Sequence, residues 1–196
     1  MHRRILRFTR THLLVAAALM LAAVVPASAA VLHYRAILSG PNESPPNLSP
    51  GTGVAEITID NVANTMQVAA SFSGLLGNTT ACHIHAPTTV ALTGTAGVAT
   101  TTPYFAGFPI GVTAGTYNNT LDLTLASSYN PTYVTNNGGT TATAEAALLA
   151  AIAAGKSYFN VHSSVVGGGE VRGFLNAFDP TPTTKSTWAR VKSLYH

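Results

Sequence analysis

The chain has 196 residues, is rich in apolar, Gly, Ala and Thr residues, and carries 10 Lys+Arg against 7 Asp+Glu, a formal +3. Four of those cations, Arg3, Arg4, Arg7 and Arg10, lie in the first ten residues; without them the balance is −1, and up to Phe178 only Arg35, Lys156 and Arg172 oppose six acids. A nucleic-acid footprint needs clustered Lys and Arg, so this charge distribution excludes that class of partner.

The basic N-terminus is followed by an apolar run from Leu13 to Val25, then Pro26 and the small-residue triplet Ala27-Ser28-Ala29. That order is a secretory signal peptide over residues 1–29, cleaved after Ala29 or Ala30. The run is short of the ~20 apolar residues a bilayer core requires. An exported protein matures in an oxidising compartment, yet the single cysteine, Cys82, has no internal partner for a disulfide. Stability is therefore expected from packing or from a bound ion.

After the signal, residues 30–178 read as one all-β domain. Val31–Ser39 is a first strand, ended by Gly40-Pro41-Asn42. Glu43–Gly51 is a loop, because Pro45, Pro46 and Pro50 lack ladder donors. Gly53–Asp60 and Thr65–Ser73 alternate with period 2 around an Asn-containing turn and form a hairpin, with Met66, Val68, Ala70 and Phe72 on one face. Thr80–Ala86 is a strand carrying His83-Ile84-His85. Pro87–Thr102 carries no periodic signal. Tyr117–Leu125 is a strand by its Leu121, Leu123 and Leu125. Thr143–Ala154 is Ala- and Leu-rich and predicts a helix closed by Gly155. Tyr158–Ser163 and Glu170–Phe178 are two final strands. Short strands at this spacing with one short inserted helix predict an antiparallel Greek-key β-sandwich, immunoglobulin-like or superoxide-dismutase-like. Residues 179–196 form a linker and short C-terminal tail.

The histidines are where chemistry concentrates. His83 and His85 are two apart on a strand, so both leave the same face, while Cys82 and Ile84 leave the other. In Tyr158–Ser163, Asn160 and His162 share a face. Three neutral imidazoles suit zinc or copper and leave a position open. The competing reading has the same histidines hydrogen-bonded to Glu170, to Asn160 or to backbone, holding strands in register. Glu170 and Arg172 also share a face and form an ion pair, with each other or across strands, or place a carboxylate where it orients a ligand. Glu43 is a further polar candidate on its stiff Pro-rich loop. No nucleophile elbow and no phosphate-binding loop is present, so no catalytic residue is assigned.

The order Leu38-Ser39-Gly40-Pro41-Asn42-Glu43-Ser44-Pro45-Pro46, Phe72-Ser73-Gly74-Leu75, His83-Ile84-His85, Tyr158–Ser163 and Gly168–Leu175 resembles the CHRD domain, first described in the animal protein chordin and widespread in bacterial exported proteins. Ala86 stands where that pattern has glycine and Ser163 where it has threonine. The resemblance implies a β-sandwich and no defined activity. The His-x-His strand is also similar to the copper-ligand strand of copper/zinc superoxide dismutases. That family's fourth copper histidine and histidine-rich zinc loop have no counterpart here, which argues against dismutase activity. Two expectations remain: a non-enzymatic extracellular or periplasmic binding or structural module whose partner is an extracellular protein or small ligand, and a copper- or zinc-binding protein built on His83, His85 and His162.

Overall fold

A computed structural model describes residues 31–180; the expected signal peptide, 1–29, and nearly all of the expected 179–196 tail lie outside the described residues. The domain is all-β and antiparallel. In chain order its elements are β1 (Val31–Ser39), β2 (Thr52–Asp60), β3 (Thr65–Ser73), β4 (Thr79–His85), β5 (Gly115–Asp122), α1 (Pro131–Asn136), α2 (Thr141–Ala153), β6 (Tyr158–Ser163), β7 (Val171–Phe174) and β8 (Asn176–Ala177).

The β1–β2–β3 meander forms where period-2 alternation is cleanest. Tyr34, Ala36 and Leu38, then Ala55, Ile57 and Ile59, then Met66, Val68, Ala70 and Phe72 are all buried, and the pairing is continuous from Val31–Asp60 to Ser39–Thr52. A one-residue slip would turn this whole apolar set to solvent, and each fully buried aliphatic or aromatic side chain contributes about 1.5–3 kcal/mol. Between β2 and β3 the Asp60 carboxylate accepts from the backbone N–H groups of Val62 and Ala63, both at 2.9 Å, and Asn64 takes the positive φ that closes the turn.

The strand order is β4-β6-β7-β1-β2-β3-β5, with β8 beside β1. The two layers of the sandwich are flanks of one curled sheet. They meet where β7 touches β1 through the single pair Ser39–Arg172, continued by Tyr34–Ala177 and Arg35–Asn176. Gly173 allows this closeness: a Cβ there would lie 2.3 Å from the Ile37 carbonyl oxygen.

The unperiodic stretch after β4 packs into the sandwich. Phe105 is fully buried and stacks on both Phe159 of β6 (6.0 Å) and Tyr117 of β5 (5.9 Å). One loop aromatic thus bridges the two flanks. The same segment runs along the free edge of β4, bridging Cys82 to Tyr104 and His85 to Val98, so that edge is covered. Cys82 is wholly buried beside Ile84, and burial pushes its thiol pKa well up.

Two helices are present where the sequence predicts one. The expected helix is α2, with a Thr140–Thr143 capping box. It ends in a Schellman motif, Gly155 N to Ile152 O and Lys156 N to Ala151 O, with Gly155 at positive φ. The shorter α1 starts at Asn130, whose side chain accepts from Thr132 N, with Pro131 at its first position. Six residues are too few for a periodic signal to emerge. The last predicted strand is split into β7 and β8, and Leu175, between them, turns into the core.

Candidate metal centre

Strands β4 and β6 are direct neighbours, pairing Ala81 with His162, His83 with Asn160 and His85 with Tyr158. This register places His83, His85 and His162 together on the face away from Cys82 and Ile84. His83 and His85 are buried under the covering loops, and His162 is half-buried at the rim. One potential ligand atom from each histidine lies within 4.8 Å of the others. The Nε2 atoms of His83 and His162 are 3.0 Å apart. A tetrahedral zinc with bonds of about 2.0–2.1 Å holds its ligand nitrogens about 3.4 Å apart, a spacing these separations bracket.

The other ring nitrogens fix the tautomers. His83 Nδ1 faces the Pro103 carbonyl at 3.1 Å, His85 Nδ1 the Ala96 carbonyl at 2.8 Å and His162 Nδ1 the Gly167 carbonyl at 2.9 Å. A carbonyl oxygen only accepts, so each Nδ1 carries the hydrogen and each Nε2 is left with a lone pair. Backbone carbonyls on metal-ligating imidazoles orient the ring and raise its basicity in this manner. His85 Nε2 is buried with no hydrogen-bond partner.

Charge agrees with tautomer. Burial, and then the neighbouring His85 and His162, lower the His83 pKa to about 3 against the pull of the Pro103 carbonyl. Burial lowers His85 to about 4, and burial also lowers His162. All three rings are neutral at pH 7. Two neutral Nδ1–H imidazoles cannot share a proton across a 3.0 Å Nε2–Nε2 contact. A hydrogen bond there requires one ring to give up its carbonyl. A cation between the nitrogens satisfies all three rings at once.

The polar residues around the centre divide into two groups. Arg172 pairs with Glu43 at 3.8 Å, where the sequence allows a partnership with Glu170. Its Nε donates to the Asn42 carbonyl at 2.6 Å and its NH1 group to the Gly94 carbonyl at 3.1 Å. Its guanidinium lies 4.6 Å over the Tyr158 ring, and Tyr158 stacks on His85 at 4.5 Å and 9°. Burial pushes the Glu43 carboxyl up to about 7 against the Arg172 charge. Asn160 stands in the ladder between His83 and Arg172. Its Oδ1, like Glu43 Oε1, is buried without a partner. Gly169, at φ +127, closes this corner: a Cβ there would lie 2.6 Å from Asn160 Nδ2 and 2.8 Å from Glu43 Oε1.

Glu170 belongs to the structure's other polar cluster. Fully buried, it accepts from Ser49 Oγ at 2.6 Å and from the backbone N–H groups of Leu76 and Gly77. Burial raises its pKa, but the hydrogen bonds from Ser163, Ser49, Leu76 and Gly77 outweigh it and hold the carboxyl below the ordinary range. It ties the Pro-rich loop and the β3–β4 turn to the start of β7. His33 is also elsewhere, bonded to Thr58 Oγ1 at 3.1 Å.

Sequence reasoning overlooks Tyr158, although its place two residues before Asn160 puts it on the histidine face. The Ala96, Pro103 and Gly167 carbonyls carry no side-chain signal and become visible only when the loops fold over β4 and β6.

The family model of the CHRD domain matches residues 34–175. No curated protein and no solved structure matches the chain.

Proposed function

The chain belongs to the CHRD domain family, and from that premise we propose that it is an exported, non-enzymatic module holding one copper or zinc ion on His83, His85 and His162. One observation carries the reading. Three Nδ1–H groups are each given to a backbone carbonyl, which leaves three Nε2 lone pairs free, on rings that each bring a potential ligand nitrogen within 4.8 Å of the others. Neutral imidazole is a ligand for both metals, and the donor set contains no thiolate or carboxylate among the described residues. When bound, the ion supplies a Lewis-acid or one-electron centre. The protein's part is to fix the rings and to bury His83 and His85. Export rests on the signal-like segment 1–29.

The test is elemental analysis of the protein purified from periplasm and medium, beside His83→Ala and His162→Ala. The expected result is about one copper or zinc per chain, lost in both variants, with an N-terminus at Ala30 or Val31. Metal well below one per chain and unchanged in the variants removes the metal reading. An intact Met1 in a cytoplasmic fraction removes export.

A further inference from the structure

Resting on the three-imidazole centre above, we propose that the site selects a singly charged ion, copper(I), over zinc(II), because the protein supplies no net negative charge to face the ion. The cost of burying an ion rises with the square of its charge, so a desolvated site with neutral ligands penalises a dication far more than a monocation. His83 and His85 are both buried, and all three ligands are neutral.

The acids nearest in chemistry to a compensating ligand are engaged elsewhere. Glu170 is held by Ser49, Leu76 and Gly77, and Glu56 pairs with Arg35 at 2.7 Å. Glu43 is the carboxylate in the cluster of Asn160 and Arg172, and it sits 3.8 Å from the Arg172 guanidinium. That pair is neutral when Glu43 is ionised and +1 when it is not, and it never contributes −1. Its cationic member reaches the centre through a stack, Arg172 over Tyr158 at 4.6 Å and Tyr158 over His85 at 4.5 Å. Copper(I) is a d¹⁰ ion that accepts three imidazoles without an anionic fourth ligand. Zinc(II) at the same nitrogens keeps its full second charge unless the fourth ligand, water or an anion at the open side where His162 is half-buried, supplies a negative one.

The experiment titrates the mature metal-free protein at pH 8 in chloride-free, non-coordinating buffer. Copper(I) is measured anaerobically against a chromogenic copper(I) chelator, and zinc(II) against a chromogenic zinc chelator. The expected copper(I) Kd is at least about 100-fold below the zinc(II) Kd. Glu43→Gln leaves Arg172 uncompensated, and widens that ratio by about tenfold further. Added azide tightens zinc(II) and leaves copper(I) unchanged. Zinc(II) binding as tight as copper(I), or a Glu43→Gln ratio unchanged or reduced, overturns the charge selection while the three-imidazole centre stands. A wild-type chain that binds neither ion, indistinguishable from His162→Ala, overturns both.

Discussion

Replacing Glu170 with Gln tests whether this buried acid is a structural clasp independent of the metal centre. The wild-type carboxylate accepts from Ser49 Oγ and Leu76 N on one oxygen and from Gly77 N on the other. Gln keeps one acceptor oxygen and turns an NH₂ group toward the remaining donor. Losing charge assistance on two bonds costs about 1 kcal/mol each, and a buried N–H left facing another donor costs about 1–3 kcal/mol. The expected loss is about 3–5 kcal/mol, and for a domain of roughly 150 residues this lowers Tm by about 10 °C. The pH dependence follows from the depressed native pKa. The stabilisation is complete above the unfolded carboxylate pKa of about 4.3, and is lost as pH falls through the lower native value, where the wild-type side chain is itself neutral. Thermal unfolding by circular dichroism, with EDTA present, should show the full gap at pH 7 and a closing gap below about pH 4. The variant should still bind one metal ion per chain. A Tm within about 2 °C of wild type at pH 7, or a gap as large at pH 3 as at pH 7, would refute the reasoning.

Three more expectations follow from packing and charge. Gly173→Ala forces a Cβ against the Ile37 carbonyl at the β7–β1 seam and should destabilise by about 1–3 kcal/mol or more, read as a lower urea midpoint; an unchanged midpoint contradicts the close approach. With His83 and His85 held near pKa 3 and 4, protons compete weakly for Nε2, so bound metal should survive dialysis at pH 5 and leave only below about pH 4; release at pH 6, where an ordinary imidazole protonates, contradicts this. Cys82, fully buried with a raised pKa, should resist thiol reagents in the native protein and react in urea; fast native labelling would place it on the surface.

The amino-acid sequence by itself determined the hairpin of β2 and β3, the shared face of His83 and His85, and the fold class. Period 2 over residues 53–60 and 65–73 specifies which side chains are buried, because one face of each strand must meet the core. The spacing of His83 and His85 sends both rings to one face whatever their neighbours. Only the tertiary structure decided that β4 lies beside β6, which brings His162 Nε2 to 3.0 Å from His83 Nε2, since residues 79 positions apart leave no local pattern. It also decided that Arg172 pairs with Glu43 and not with Glu170, because Glu170 is taken up by Ser49 and the Leu76 and Gly77 amides while the Pro-rich loop brings Glu43 to the guanidinium. The three carbonyls that orient the imidazoles come from loops around residues 96, 103 and 167. Every residue has a carbonyl, so nothing in a side-chain sequence marks the ones that chain geometry delivers to a ring nitrogen.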